Sequence, residues 1–91
     1  MAMIADNSIP YFAWDRNWTA GQIKERLSTA DKKQRYACVS WILREAAFED
    51  VWQFITPRTV HELMPYISNN LGRKKAFWAY IIGKWRELGK L

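Results

Sequence analysis

The sequence predicts an all-α fold, a small single-domain bundle of about five helices with an aromatic-rich core. Three observations carry that reading. Apolar residues recur at spacings of three and four along most of the chain, and no stretch alternates with the period of two that marks a strand. Capping and turn residues interrupt this pattern at short intervals, so helices stop and restart. Six Trp, four Tyr and four Phe among 91 residues supply apolar area to a chain that, at this size, buries only about 60–65% of its unfolded surface.

Residues 1–13 show no helical period and include Ser8-Ile-Pro10, so they are expected to form a flexible N-terminal arm, with the single helical domain running from 14 to 91. The first helix follows Trp18-Thr-Ala-Gly-Gln22. Thr19 suits the N-cap and Gln22 the third helical position, a capping box, with Trp18 and Ile23 spaced for a hydrophobic staple. Only Ile23 and Leu27 give this helix an apolar face, so it should lie as a flap on a larger core.

Ser28 or Thr29 restarts the chain, and Asp31 is favourable in a first turn. The helix that follows, over about residues 30–47, has Tyr36, Val39, Leu43 and Ala46 on one face, Cys38 and Ile42 on another, and Ala37 and Trp41 on a third. A helix apolar on nearly every side is packed from several directions. A short third element carries Phe48, Val51, Trp52 and Ile55 on a stripe and ends at Thr56-Pro57, where Thr caps and Pro occupies the first helical position. Val60, Leu63, Met64, Ile67 and Leu71 continue at helical spacing, and Pro65 predicts a kink or break near Met64. Asn69-Asn70-Leu71-Gly72 is turn chemistry. The last helix, from about Arg73 to Leu88 with Gly89 ending it, places Phe77, Trp78, Ile81, Ile82, Trp85 and Leu88 on one broad apolar face. Trp41, Leu43, Trp52, Phe77, Ile81 and Trp85 are the expected core.

The net charge of +5 is uneven. Eight Lys/Arg and eight acids cancel over residues 1–72, whereas Arg73, Lys74, Lys75, Lys84, Arg86 and Lys90 face only Glu87. A local basic patch points to an acidic partner. Chemistry-bearing motifs are sparse. One cysteine, Cys38, rules out an internal disulfide and suits a reducing compartment. With one histidine, His61, it supplies too few ligands for the roughly four a structural zinc takes, and no zinc site is expected. Cys38 reads as a small buried apolar residue and His61 as a solvated one. Glu49 and Asp50 are adjacent, about 100° apart on a helix, and are explained as first-turn acids. No catalytic, cofactor-binding or metal-ligating residue is assigned, and no enzyme activity or cofactor is expected. The longest nearly apolar run, Ala76 to Gly83, falls far short of the ~20 residues a membrane span needs. No signal peptide is read at the N-terminus, and a cytoplasmic location is expected.

Two features of the last helix are candidate binding elements. Arg73, Lys74 and Lys75 in a first helical turn oppose the macrodipole, which suits an anionic surface docked there, with Lys84 and Arg86 further along. The alternative is a later helix start that leaves them in a polar turn. Opposite the aromatic face, Ala76, Ala79 and Gly83 form a small-residue stripe. It either receives a neighbouring helix of the same chain or serves as a partner or homodimer face.

Three stretches, Trp14-Asp-Arg-Asn-Trp-Thr19, Trp41-Ile-Leu-Arg-Glu-Ala46 with Asp50-Val-Trp-Gln-Phe54, and Leu71-Gly-Arg-Lys-Lys-Ala-Phe-Trp78 with Trp85-Arg-Glu-Leu-Gly89, resemble a group of small bacterial helical proteins encoded beside nucleotidyltransferase-type abortive-infection toxins. The resemblance covers residues 14–91 and rests on aromatic, structural motifs. It implies an antitoxin-like or regulatory companion subunit with a nucleotidyltransferase-like protein as partner. The expected function is thus a non-enzymatic protein-interaction module. The alternative is a basic nucleic-acid-binding domain that uses the C-terminal helix on phosphates; against it stand the lack of a helix-turn-helix signature and the commitment of most aromatics to the core.

Overall fold

The structure, a computed structural model, describes residues 4–13 and 15–89. Among these residues the chain is all-helical: α1 (Ala20–Leu27), α2 (Lys32–Glu45), α3 (Phe48–Val51), α4 (Pro57–Ile67) and α5 (Lys75–Glu87), with 3-10 turns at Tyr11–Ala13, Ser68–Asn70 and Gly72–Lys74. The expected Trp14 domain start lies at a residue outside the description.

α2 is the axis of the fold. Six consecutive residues, Cys38 through Leu43, are buried. At 3.6 residues per turn they cover every direction around the helix, so α2 is enclosed by its neighbours. Its N-cap is Asp31, whose carboxylate accepts from the Lys33 and Gln34 amides. That corrects the expected restart at Ser28 or Thr29: the Ser28 hydroxyl instead donates back to Lys24 and Glu25 carbonyls and closes α1.

α1 starts as the capping box predicts. The Gln22 amide donates to Thr19 Oγ1 at 3.2 Å and the Thr19 amide to Gln22 Oε1 at 2.9 Å. Thr19→Ala is expected to lower stability by about 0.5–2 kcal/mol. In urea this is read as a lower midpoint at unchanged m-value; an unmoved midpoint sinks the assignment.

The N-terminal segment departs from expectation. Residues 4–13 are built into the fold, and Phe12 and Ala13 belong to the core. The Ala20 and Gly21 amides, two of the donors a helix start leaves without an intrahelical partner, donate to the Ser8 and Asp6 carbonyls at 2.9 Å each. A Cβ on Gly21 would stand 3.2 Å from the Asp6 carbonyl oxygen, so glycine permits this close approach. Further along, the Gln53 side-chain amide exchanges two hydrogen bonds with the Ile4 backbone, at 2.9 and 2.6 Å. The domain therefore begins upstream of residue 14.

Thr56 caps α4 with Pro57 inside its first turn. The helix then continues through Pro65 to Ile67, so of the kink or break expected near Met64 the break does not occur. An interior proline deprives one carbonyl of its partner, but buried Val60 and Ile67 hold the helix against the core on either side. Gly72, at φ +55°, provides the left-handed turn into the last segment. On α5 the buried line is Trp78 and Ile82, with Ile81 and Trp85 half-buried beside them. Phe77, expected in the core, is 42% exposed and Leu88 is 66% exposed. Trp52 is half-buried, and Trp41 and Leu43 are buried as expected.

Candidate binding site

The basic residues predicted at the start of the last helix do not act as its first turn. Arg73 and Lys74 sit in the 3-10 turn Gly72–Lys74, and only Lys75 opens α5. The Lys74 and Lys75 amides already donate to the Leu71 and Gly72 carbonyls. The cradle of free N–H groups that an anion would use at this helix start is thus partly consumed. All three side chains are exposed, and Lys75 Nζ reaches Asn69 Oδ1 at 3.4 Å.

Within α5 the cations divide. Lys75 and Arg86, eleven residues apart, return to within about 20° of each other, whereas Lys84 lies about 180° from Lys75. Arg86 borders a shallow groove with His61, Met64 and Pro65 of α4, which places His61 beside apolar neighbours and half-buried rather than solvated. Lys84 lies on the other flank, 5.8 Å from the Tyr80 ring centroid and 3.7 Å from the Glu87 carboxylate. On that flank Phe77, Tyr80, Lys84 and Leu88 follow one another at spacings of three and four, and the three apolar members are exposed. Of the small-residue stripe, Ala76 and Ala79 are exposed, and beyond the backbone of α5 itself no atom of the described residues comes within 4 Å of where a Cβ on Gly83 would stand. Ala79 borders the groove shared with His61, Met64 and Pro65 of α4, so the stripe runs along the edge of α4 and stays largely open.

What the fold does bring together is a cluster that the charge balance concealed. Arg16, Arg26 and Arg44 line one open cavity of about 490 Å³ with Trp18, Trp41 and Cys38. Asn17, at φ +54°, makes the tight turn between Arg16 and Trp18, a conformation asparagine tolerates better than most residues. The Arg16 guanidinium carbon lies 5.1 Å from the Trp18 ring centroid and 4.8 Å from that of Trp41. Arg26 approaches Trp18 to 3.9 Å. Trp18 meets Trp41 edge to face at 5.4 Å. Arg44 is fixed from α2 by donating to the Asn70 carbonyl at 2.6 Å. None of the three arginines forms an ion pair among the described residues, and no carboxylate lines the cavity.

Burial pushes the Cys38 thiol up to about 11, with the charges of Arg26 and Arg16 acting in the opposite direction. The group is therefore a neutral thiol at physiological pH, a wall of the cavity rather than a nucleophile. Buried Ser40 donates to the Tyr36 carbonyl at 2.8 Å and is committed there. A sequence signal for the cavity existed: Gln34, Ala37, Cys38, Trp41 and Arg44 recur at helical spacing along one side of α2. Arg16 and Arg26 come from distant segments and carry no such mark.

The acids Glu49 and Asp50 stand in the first turn of α3. Asp50 accepts the Tyr11 hydroxyl at 2.6 Å, and the same hydroxyl oxygen accepts the Ala47 amide at 2.7 Å. Burial, then the Asp50 hydrogen bond, raises the Tyr11 pKa, so Tyr11 stays a protonated donor at neutral pH. Among the described residues no group of three or more His, Cys, Asp or Glu is placed to hold a metal ion, and no helix is long and apolar enough to cross a membrane. Against known proteins, the chain matches no family model, no curated protein and no solved structure.

Proposed function

We propose that this protein is a non-enzymatic helical interaction module that binds an acidic protein partner through the outer flank of α5. The observation that carries the reading is the exposed line Phe77, Tyr80, Lys84 and Leu88, extended by exposed Phe48, which packs edge to face on Phe77 at 5.8 Å. An apolar strip interrupted and bordered by cations suits a partner that offers apolar contacts within an acidic rim. Arg73 and Lys74, in the turn before α5, and Lys75, on the opposite side of the helix from Lys84, add to the positive field that steers the encounter. Self-association through the same strip is disfavoured, because each copy carries a net charge of +5. The resemblance described above supports a regulatory or antitoxin-like companion role, with a nucleotidyltransferase-like protein as the partner. Division of the α5 cations between opposite sides weighs against a duplex nucleic acid, which needs its phosphate contacts on one face.

The test starts from the native complex isolated from the source cell, with binding then measured between purified components. Replacing Arg73, Lys74 and Lys75 together by Gln is expected to leave the fold intact and slow association several-fold at low salt. Tyr80→Ala and Leu88→Ala should instead speed dissociation, weakening the complex about tenfold if they are central to the contact. Unchanged kinetics in all three variants would remove α5 from the interface. Tight duplex binding whose affinity falls by about 0.9 log units per log salt for each phosphate neutralised would transfer the role to nucleic acid.

A further inference from the structure

Arg16, Arg26 and Arg44 converge from three separate segments on a cavity that no carboxylate of the described residues lines. Because they stand 5.1 and 3.9 Å from one indole, the Arg16 and Arg26 guanidinium carbons are no more than about 9 Å apart. That upper bound is close to the Debye length of about 8 Å at ~0.15 M salt, so salt weakens their repulsion without removing it. Stacking on Trp18 and Trp41 offsets part of that repulsion and leaves the N–H edges of the guanidiniums free to donate. These are the features of an assembled anion site.

From this geometry we infer that the Arg16–Arg26–Arg44 cavity binds the phosphoryl group of a small phosphorylated molecule. The choice of phosphate over carboxylate follows from donor geometry. One guanidinium fork satisfies both oxygens of a carboxylate, whereas the tetrahedral oxygens of a phosphate accept from several forks approaching from different sides. The choice of a small molecule follows from shape. A single open cavity of about 490 Å³ lies within the range of small-ligand pockets, roughly 300–1,000 Å³, and leaves room for more than the phosphoryl group. The remainder of the ligand is not a stacked base. Trp41 is only 4% exposed, the faces of Trp18 are approached by two guanidiniums, and the open part of the wall is formed by Gln34, Ala37 and Asn70. The site shares no residue with the α5 flank, so the two proposals stand or fall separately.

Calorimetric titration of the whole protein with pyrophosphate, at ~0.15 M salt, tests the assignment. Saturable one-to-one binding is expected, with malonate weaker by about tenfold or more. Arg16→Gln with Arg26→Gln should reduce pyrophosphate affinity by at least about tenfold, while the triple Gln variant at Arg73, Lys74 and Lys75 binds as wild type does. A circular-dichroism melt checks that the double variant is folded. If it is not, Arg16→Lys with Arg26→Lys takes its place, and it too should lose about tenfold, because lysine keeps the charge without the fork. The assignment fails if no saturable binding occurs up to about 10 mM pyrophosphate, or if malonate binds equally well. It also fails if the lysine variant binds like wild type, or if the triple Gln variant loses as much as the Arg16/Arg26 pair.

Discussion

Trp78→Ala is expected to be among the most damaging single substitutions in the chain, lowering stability by about 3–5 kcal/mol. A domain of this length holds roughly 5–14 kcal/mol in total, so the loss approaches unfolding at the lower end. Two separate effects combine. Trp78 is 1% exposed and its ring centroid stands 5.8 Å from those of Phe48 and Trp52 and 5.3 Å from that of Phe77. Its removal therefore leaves a cavity where α3 and α5 meet. In addition, the Trp78 indole N–H donates to the Leu43 carbonyl at 3.0 Å in a buried setting. That carbonyl belongs to the last turn of α2, where intrahelical donors have run out, and the amide four residues on, Ala47, is taken by Tyr11. Trp78→Phe separates the effects: it keeps most of the ring packing, strands the carbonyl, and should cost about 1–3 kcal/mol. Urea unfolding of both variants provides the measurement. A loss below about 1 kcal/mol for the alanine variant would mean that α5 is not held by this residue.

That residue also shows how far the sequence reached. Helical periodicity put Trp78 on a broad face with Phe77, Ile81, Ile82, Trp85 and Leu88; Trp78 and Ile82 are buried and Ile81 and Trp85 half-buried, whereas Phe77 and Leu88 are exposed, so only part of that face meets the core. Its centre was not legible, because a small domain touches α5 along a narrow line, and the period fixes a direction only to within a residue or so. Signals confined to a few neighbouring residues were read correctly: the Thr19 and Thr56 caps, and the turn at Gly72. The α2 restart was placed at Ser28 or Thr29 with Asp31 as a first-turn acid, because all three residue types suit a helix start and local chemistry alone does not show which of them holds the cap. The N-terminal segment was misread for a related reason. Its contribution is a turn of 3-10 helix and a set of backbone hydrogen bonds to α1, neither of which leaves an apolar period. The arginine cavity was hidden by arithmetic. Arg16, Arg26 and Arg44 lie in the part of the chain where charges cancel, and only the fold separates them from the acids that cancel them.

The segment before residue 14 accordingly yields the second large effect. Phe12→Ala is expected to cost about 3–5 kcal/mol, although periodicity gave no reason to place the residue in a core. Phe12 is 6% exposed and meets Trp41 at 5.4 Å and Phe54 at 5.9 Å between ring centroids. It thereby ties the N-terminal segment both to the axis of the fold and to the turn after α3. Losing the ring should also weaken the cover over the start of α1, because the Ser8 and Asp6 carbonyls reach the Ala20 and Gly21 amides only while the segment is seated. Hydrogen exchange distinguishes an integral segment from a loosely laid one. In the wild type the Ala20 and Gly21 amides should be protected to nearly the same free energy as buried amides of α2, since opening the segment requires exposing the Phe12 contacts. If those two amides exchange orders of magnitude faster than the α2 amides, and Phe12→Ala leaves the urea midpoint unmoved, the segment is an accessory and the core closes without it.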